Sequence, residues 1–487
     1  MSKGSFATGL LLFALLPAAT LTASAQQAVN KPDEHLRVLK LHLAAFNAGD
    51  REALKKFAAE HLSESHRHGM PPERVAEMEL GFRERVVSGF ELYEVEKNTD
   101  TELVATLKST GEFPMFARTV WTFDPINPAM VTDRDLSPTQ TPKSALPAKL
   151  TAARLAEDVD AKLTRLAAAD KFSGAVLIAK DGLPVFQKAY GLADREHKIP
   201  NHLETRFRLG SMNKMFTSVA VAQLVEAGKL KYTDKLAAVL PDYPNREVAQ
   251  KITIHQLLTH TSGLGDIFGP EFDQRKNELR EVRDYLSLFA DKPLRFEPGA
   301  GWSYSNAGFI VLGLVVEKLS GQSYYDYVQQ HIYDRAGMKL SGSFPKTDKI
   351  ANLAVGYMKQ GPSAQLVSNF ETLPWRGMSA GGGDSTVGDL LRFAEALRGH
   401  KLLGPQLTEM VITGKTQPGP DADSKYAYGF EDERVAGHRI VGHGGGAPGM
   451  NGKLDIYLDG GYTVVVLANL DPPAAQGVAG YISERLQ

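Results

Sequence analysis

The sequence predicts an α/β protein of the α+β type, in which a central antiparallel sheet is flanked by helices and adjoins a mostly helical lobe. Strand-like alternation occurs at both ends of residues 150–487 and helical periodicity fills the middle, so the terminal strands are expected to form one sheet. Before this region, residues 30–136 pass from helices into consecutive strands, which predicts a small α+β domain. The prolines within residues 137–149 are typical of a linker.

The N-terminus has the pattern of an export signal. Lys3 precedes an apolar run at residues 10–19, and Ala23-Ser24-Ala25 is a small-residue cleavage site. Residues 1–25 are therefore predicted to be a signal peptide cut after Ala25, which makes the mature protein periplasmic or secreted. No segment reaches the roughly 18 apolar residues that a membrane span needs, so no transmembrane segment is expected.

The composition narrows the classes of function. Hydrophobic residues make up 43% of the 487 residues, enough for two or three domains with sizeable cores. A net charge of -2 gives no reason to expect a nucleic-acid partner. The chain has no cysteine, which excludes disulfides and thiol catalysis. No phosphate-binding loop, dinucleotide fingerprint or zinc motif occurs, and His66 and His68 lack a third ligand at characteristic spacing, so no cofactor or metal is expected.

The small N-terminal domain is predicted from two helices followed by three strands. The apolar face of the first helix consists of Leu36, Leu39, Leu43 and Phe46. The second helix runs from residue 51 to about residue 59, and alternation marks strands at residues 90–97, 102–108 and 116–123. This order loosely resembles the ketosteroid-isomerase-like cone fold. No paired polar residues identify a ligand pocket, so we expect a packing or substrate-capping role; the alternative is that this domain binds a small ligand or a partner.

The larger domain begins and ends with elements that the pattern identifies. A helix is predicted near residues 149–168, and a hairpin at residues 174–189 turns at Lys180-Asp181-Gly182. Near the C-terminus, residues 453–469 form a second hairpin, followed by a helix from Ala474. The two hairpins are expected to lie in the same sheet.

Ser211-Met212-Asn213-Lys214 stands at the start of a strongly amphipathic helix that closes at Gly228. Residues three positions apart share a helix face, so the Lys214 amine can reach the Ser211 hydroxyl and stabilise the charge that develops there. The helix N-terminus adds a favourable dipole. Ser211 is therefore a candidate nucleophile, although a serine at this position is most often only a helix cap.

A second candidate cluster is Tyr304-Ser305-Asn306, which lies in a glycine- and proline-containing loop before an apolar helix at residues 309–319. A nearby ammonium favours the phenolate, so Tyr304 is expected to act as general base and later as acid. Asn306 offers a donor and an acceptor to a substrate amide. The alternative is a buried tyrosine beside a capping asparagine.

The third candidate cluster is His443-Gly444-Gly445-Gly446, just before the C-terminal hairpin. Glycines on a strand let a substrate approach the backbone closely, so His443, Gly444 and Gly445 are candidate substrate contacts. The Gly446 N–H can join the Ser211 N–H as a two-donor oxyanion hole. The alternative is a glycine-rich turn with an incidental histidine.

Ser-x-x-Lys, Tyr-x-Asn and His-x-Gly in this order resemble the serine β-lactamase and penicillin-binding-protein superfamily, which includes class C β-lactamases, D,D-peptidases, D-aminopeptidases and esterases. The similarity spans about residues 150–487 and includes Phe207-Arg208-Leu209-Gly210 and the segments at residues 254–264 and 381–386. The resemblance implies a β-lactamase/transpeptidase-like fold. It also implies that Ser211 is the nucleophile, that Lys214 and Tyr304 form the base system, and that Asn306 and His443 contact substrate.

The sequence departs from that resemblance at His443. Relatives that hydrolyse β-lactams well usually carry lysine there, whereas histidine is mostly neutral at pH 7 and attracts a carboxylate less. This favours a serine hydrolase acting on small esters or D-amino-acid peptides and amides, with weak β-lactam hydrolysis at most. The alternatives are a β-lactamase proper and a slow penicillin-binding or sensor protein, and the intact Ser211, Lys214 and Tyr304 argue against the sensor.

A competing serine lies in Gly377-Met378-Ser379-Ala380-Gly381, which matches the Gly-x-Ser-x-Gly nucleophile elbow. The elbow needs a hydrophobic strand before the serine and a helix directly after it, and neither is present. We therefore expect this segment to be a tight turn under the active site, with a new helix capped by Thr386. His255 and His260 are interpreted as structural.

Overall fold

The computed structural model describes residues 30–85, 87–360, 365–419 and 423–487. The predicted signal peptide, residues 1–25, lies outside the described residues. Within them, no helix combines the length and apolar character that crossing a membrane requires.

The N-terminal part contains three helices and one four-stranded antiparallel sheet. Its elements are α1 (Lys31–Ala48), α2 (Arg51–His61), α3 (Pro72–Arg85), β1 (Phe90–Asn98), β2 (Glu102–Ser109), β3 (Phe116–Phe123) and β4 (Val131–Thr139). The strands are paired in the order β1-β2-β3-β4. Helices and sheet enclose a core of their own, with Phe46, Phe57 and Trp121 among its buried side chains. The two predicted helices and three predicted strands are confirmed, whereas α3 and β4 were not predicted.

The predicted linker, residues 137–149, begins too early. Residues 137–139 belong to β4 and pair with β3. β4 is an edge strand of this sheet, where a proline such as Pro138 is tolerated because one side of the strand has no neighbour to receive an N–H. The start of the linker was predicted too early because that prediction relied on the prolines alone.

The rest of the chain combines twelve described helices with thirteen described strands. The helices are α4 (Ala152–Ala168), α5 (Asn213–Glu226), α6 (Leu236–Val239), α7 (Arg246–Lys251), α8 (Ile254–Leu258), α9 (Pro270–Arg275), α10 (Asn306–Ser320), α11 (Tyr324–Val328), α12 (Asp334–Ala336), α13 (Val387–Arg398), α14 (Pro405–Ile412) and α15 (Ala474–Ser483). The strands are β5 (Gly174–Lys180), β6 (Leu183–Tyr190), β7 (Leu192–Asp194), β8 (Ile199–Pro200), β9 (Phe207–Arg208), β10 (Tyr357–Gln360), β11 (Gln365–Ser368), β12 (Asp384–Ser385), β13 (Ser424–Tyr426), β14 (Glu431–Val435), β15 (His438–Ala447), β16 (Met450–Tyr457) and β17 (Tyr462–Ala468).

A seven-stranded antiparallel sheet in the order β13-β14-β15-β16-β17-β5-β6 forms the centre of this part. The pairing of β17 with β5 joins the two ends of the domain, which confirms the predicted sheet. The hairpin of β5 and β6 turns at Asp181 and Gly182, whose φ angles of 50° and 77° fit a tight hairpin turn. One face of the sheet packs on α4 and α15, and the other contributes to the larger core shared with the helical lobe.

Helix α5 differs from its prediction. We expected an amphipathic helix, but every residue from Asn213 to Leu224 is buried. The helix lies inside the larger core, in contact with α10, α11, α14 and β15, so no face of its first three turns meets solvent. Asn213 and Lys214 of the Ser-x-x-Lys motif thus belong to a helix that the lobe encloses, and Ser211 lies in the turn just before it.

Candidate active site

Ser211 lies in a 3₁₀ turn that leads directly into α5. The turn begins at Gly210, whose φ of 56° falls in the left-handed region that glycine adopts without strain. Strand β15 packs on this turn so closely that a Cβ on Gly445 would lie 1.9 Å from the carbonyl oxygen of Leu209. The same approach places the Gly446 nitrogen 3.0 Å from where a Gly210 Cβ would stand. The Ser211 and Gly446 amides, predicted to form an oxyanion hole, therefore lie on adjoining backbone segments.

Lys214 is fully buried at the first turn of α5. Its Nζ donates hydrogen bonds to Ser211 Oγ at 3.2 Å and to Asn306 Oδ1 at 2.7 Å, and it also donates to the Ala380 carbonyl. Burial lowers the pKa of Lys214 to about 7, and the Asp266 carboxylate opposes that shift. A large fraction of Lys214 is therefore neutral near pH 7 and able to accept the Ser211 proton.

Tyr304 lies on the other side of this amine. Its ring centroid is 4.7 Å from Lys214 Nζ, and its hydroxyl is hydrogen-bonded with Ser211. Burial raises the pKa of Tyr304, the opposite of the lowering that we expected from a neighbouring ammonium. The cost of burying a phenolate outweighs that attraction, and the nearby carboxylates of Glu431 and Asp266 add to it. Tyr304 keeps its proton at rest, so Lys214 is the group of this pair that can be deprotonated near neutral pH.

Asn306 is the first residue of α10, which Ser305 caps by accepting from the Gly308 N–H at 3.1 Å. Besides accepting from Lys214, Asn306 donates from Nδ2 to both carboxylate oxygens of Asp266, at 3.0 and 3.2 Å. The proposed substrate ligand is thus already held by two protein groups. Asp266 was not predicted, although it stands two positions after the shared segment at residues 254–264.

His443 lies on β15 with 3% of its surface exposed. Its Nε2 is 3.0 Å from the Tyr426 hydroxyl, and its Nδ1 is bonded to the Gly444 carbonyl. Burial lowers the pKa of His443 to about 4, against the opposing effect of the Glu431 carboxylate. The histidine is neutral, as its residue type suggested. Because both ring nitrogens are occupied, the expected polar contact with substrate requires one of these bonds to break.

The ring of Tyr304 packs against a group of buried aromatic side chains. His260 is fully buried, with its ring centroid 4.3 Å from that of Tyr304 and 4.6 Å from that of Tyr426. Its Nδ1 accepts from the Ser305 N–H at 3.1 Å. The burial of His260 agrees with the structural role that we expected, and its ring packs on that of Tyr304. The role of Tyr426, which touches both histidines, was not predicted.

The segment around Ser379 forms the tight turn that we expected. Met378 and Gly381 exchange backbone hydrogen bonds of 2.7 and 3.1 Å, and α5 side chains bond to the carbonyls of this turn. Ser379 is fully buried, and its Oγ has no hydrogen-bond partner among the described residues. Thr386 caps the next helix by accepting from the Asp389 N–H. The carbonyl of Ala380 in this turn accepts from Lys214, whereas the Ser379 hydroxyl is bonded to no base among the described residues.

Comparison with known proteins identifies the family of this fold and site. The Beta-lactamase family model matches residues 159–487. This chain belongs to the Beta-lactamase family. Penicillin-binding protein 4* of Bacillus subtilis (strain 168) is 30% identical over 313 residues, which cover 61% of this chain and 68% of that protein. Esterase EstB of Burkholderia gladioli is 36% identical over 207 residues, which cover 40% of this chain and 53% of that protein.

Solved structures agree with this assignment to the Beta-lactamase family. A penicillin binding protein from Bacillus halodurans superposes with a TM-score of 0.60 at 34% identity, covering 69% of this chain and 98% of its own. A D-stereospecific amidohydrolase from Streptomyces sp. superposes with a TM-score of 0.58 at 26% identity, covering 68% and 98%. The predicted β-lactamase/transpeptidase-like fold is confirmed. The N-terminal part lies before the residues that the family model matches, so its resemblance to a cone fold stays a prediction.

Proposed function

We propose that this protein is an exported serine hydrolase that works through an acyl-enzyme on small esters or D-amino-acid peptides and amides. The buried Lys214 amine is the strongest support for this proposal. Its Nζ lies 3.2 Å from Ser211 Oγ, and burial lowers its pKa to about 7. A serine becomes a nucleophile when a neighbouring base can take its proton at the working pH. Export is supported by the signal-like pattern of residues 1–25.

Acylation begins when Ser211 Oγ attacks the substrate carbonyl and its proton passes to neutral Lys214. The Oγ–C bond forms, and the carbonyl oxygen becomes an oxyanion that accepts from the N–H groups of Ser211 and Gly446. Tyr304 then donates its phenolic proton to the leaving group and recovers a proton from Lys214. The leaving group departs as an alcohol or amine, and the acyl group stays on Ser211.

Deacylation repeats these proton transfers with water in place of Ser211. Water gives a proton to the Lys214–Tyr304 pair as it attacks the ester carbonyl, and Ser211 Oγ recovers that proton when the C–O bond breaks. Because Tyr304 bonds to Ser211 and lies beside Lys214, the same two groups are within reach in both halves of the reaction.

The site favours substrates that lack a carboxylate near the reacting carbonyl. His443 is neutral and hydrogen-bonded on both nitrogens, so it supplies no fixed cation to attract the carboxylate of a β-lactam. The relatives named an esterase and a D-stereospecific amidohydrolase support the ester and amide classes. For the same reason, the site supports β-lactamase activity less well than activity on esters or amides.

A slow penicillin-binding protein is the second candidate. It is favoured by the names of the Bacillus subtilis and Bacillus halodurans relatives. In that case Ser211 is acylated by the drug but deacylation is slow, so a stable adduct accumulates instead of product.

A substrate panel tests both candidates. We would assay the protein with short-chain nitrophenyl esters, D- and L-alanine nitroanilides and a chromogenic cephalosporin, following product and intact mass. Ser211→Ala is expected to abolish turnover of every substrate, and Ser379→Ala, the matched control at the competing serine, is expected to leave it near the wild-type rate. Turnover that survives Ser211→Ala but not Ser379→Ala would refute the proposal; a stable cephalosporin adduct without ester turnover would favour the second candidate.

A further inference from the structure

The N-terminal part encloses a cavity of about 390 Å³. All residues that line it lie between residues 39 and 136, whereas Ser211 and its partners belong to the other part of the chain. Its lining is mostly apolar and includes Leu39, Leu43, Phe46, Phe82, Phe90 and Trp121. A volume of this order is typical of pockets that hold small molecules, which range from roughly 300 to 1,000 Å³.

One wall of the cavity carries a polar cluster that the sequence did not reveal. His42 comes from α1, His66 from the loop after α2, Glu79 from α3 and Arg134 from β4. The Arg134 guanidinium bonds to Glu79 through Nη2, lies 3.0 Å from His42 Nε2 through Nη1, and donates to His66 Nε2 at 3.3 Å through Nε. His42 Nε2 is also 2.8 Å from Glu79 Oε2. These four residues are separated in sequence, so no local spacing could identify them.

Arg134 and Glu79 form an ion pair within this cluster, and the lining also contains one further arginine, Arg67, and one further carboxylate, Asp135. Although burial raises the pKa of Glu79, His42 and Arg134 lower it to about 2, so Glu79 is ionised and balances Arg134. Burial and the Arg134 charge lower the pKa of His66. An ionic ligand would lose its hydration in this apolar cavity and find no net opposite charge to replace it. The cavity is therefore suited to a neutral molecule.

The cluster keeps hydrogen-bond donors to offer. A guanidinium has five N–H groups, and Arg134 directs at most three of them to Glu79, His66 and His42, whose Nε2 also lies beside Glu79 Oε2. The four side chains keep between 13% and 19% of their surface accessible. An acceptor oxygen on a bound molecule can thus receive the remaining Arg134 donors without disturbing the ion pair.

We propose that this cavity binds a neutral, largely apolar small molecule that carries a carbonyl or ester oxygen, with that oxygen accepting hydrogen bonds from Arg134. The apolar body of the ligand packs on the aromatic and aliphatic lining, and the oxygen accepts from Arg134 N–H groups that Glu79, His42 and His66 leave unused. The N-terminal part is then a binding module rather than a passive cap over the catalytic region.

Fluorescence of a neutral ketone probe tests this site in the whole protein. The probe is 6-propionyl-2-(dimethylamino)naphthalene, and 2-(dimethylamino)naphthalene is the matched compound without the carbonyl. We expect saturable binding of the ketone with blue-shifted emission and energy transfer from Trp121, which lines the cavity. Trp121→Phe should remove most of that transfer and leave a bound, blue-shifted probe. The ketone is expected to bind about tenfold more tightly than the compound without it, because it gains a hydrogen bond to a charged donor.

Two variants separate the site from non-specific binding. Met78 and Leu136 line the cavity and are 51% and 40% exposed, so Met78→Phe with Leu136→Phe should narrow its opening and weaken ketone binding at least about tenfold, at an unchanged melting temperature. Arg134→Met with Glu79→Gln removes both charges together and should abolish the advantage of the ketone. If Arg134→Met with Glu79→Gln does not fold, the rim variant, Met78→Phe with Leu136→Phe, still tests whether the probe binds in this cavity. No saturable binding, binding without transfer from Trp121, or unchanged binding in the rim variant would overturn the proposal.

Discussion

At the scale of single residues, the chemistry of Ser211 depends on where Lys214 loses its proton. Lys214 is enclosed by α5, α10 and the turn at Ala380, and burial penalises its charged form. Its pKa falls from 10.5 in water to about 7. Between these values the unfolded chain binds a proton that the folded chain has released, so this residue makes stability rise with pH across that window.

The pH dependence of catalysis follows from the same shift. For a neutral ester, kcat/KM is expected to rise with pH through about 7 as Lys214 becomes neutral. Asp266→Asn should move the rise to lower pH, because the Asp266 carboxylate raises the pKa of Lys214 and asparagine keeps an oxygen but no charge. The measurement is a pH–rate profile of each variant. Asp273→Asn, an exposed position in α9, is the control and should leave the profile in place; an identical shift in both variants would contradict this role for Asp266.

Tyr304 is expected to act on the rate more than on binding. Tyr304→Phe removes the proton donor for the leaving group but keeps the ring that packs on His260, so kcat should fall roughly 10²- to 10³-fold with little change in KM. Tyr428→Phe, which removes a hydroxyl bonded to His255 instead, is the matched control and should stay within about twofold of the wild type. Steady-state kinetics on one ester check this, and equal losses in the two variants would show that the Tyr304 hydroxyl has no special part.

At the scale of elements, the close packing of β15 on the turn before α5 builds the oxyanion hole. Gly445→Ala would push a methyl group against the Leu209 carbonyl, so the strand must move away from Ser211. We expect kcat to fall at least about a hundredfold, as it does when one oxyanion donor is lost. Gly480→Ala in α15 is the control, because a Cβ there meets nothing within 4 Å, and it should keep full activity and gain up to about 1 kcal/mol of stability. Steady-state kinetics and thermal melts of both variants are the measurements. A fully active Gly445→Ala enzyme would show that this close packing does not build the oxyanion hole.

The elements that the sequence predicted correctly are those with a local signal. The hairpins at Asp181-Gly182 and at Asp459-Gly460-Gly461 have turn glycines between alternating strands, and the structure contains both. Helix α3 has only a weak apolar stripe, and β4 contains Pro138. Neither segment therefore shows the periodicity by which its element would be predicted. The enclosure of α5 depends on elements distant in sequence, which periodicity cannot report.

The same distinction applies to the candidate site. Ser211 and Lys214 lie within one helical turn, so their spacing alone brought them together. Asp266, by contrast, is hydrogen-bonded to Asn306, forty residues later in the chain, and no local spacing indicates that contact. The predicted direction of the Tyr304 pKa shift was wrong, because the cost of burying its phenolate cannot be judged from neighbours in sequence.

At the scale of the whole molecule, a small contact couples the N-terminal part to the catalytic part. Glu112 pairs with Lys162, Arg165 and Lys171 at 3.7, 3.1 and 3.1 Å. Next to it, Phe113 packs against α15. The ion pairs are partly exposed and therefore weak, so we expect the apolar contact of Phe113 to provide much of the coupling.

Breaking this contact should separate the unfolding of the two parts. Glu112→Gln combined with Phe113→Ala is expected to split a single calorimetric transition into two, because each part has a core of its own. Glu91→Gln, at an exposed position of β1, is the control and should melt as the wild type does. A double variant that still unfolds in one transition at the wild-type temperature would show that the contact does not couple the parts.

Acid-quenched mass spectrometry can show whether Ser211 becomes acylated with Lys214 as its base. The protein would be mixed with nitrophenyl acetate on both sides of pH 7, quenched within the first turnover, and digested to locate the adduct. We predict one acetyl group on the peptide that contains Ser211, formed faster above pH 7 than below it, and no adduct in Ser211→Ala. An adduct on another residue would show that Ser211 is not the nucleophile, and an adduct that forms at the same rate at every pH would show that Lys214 is not its base.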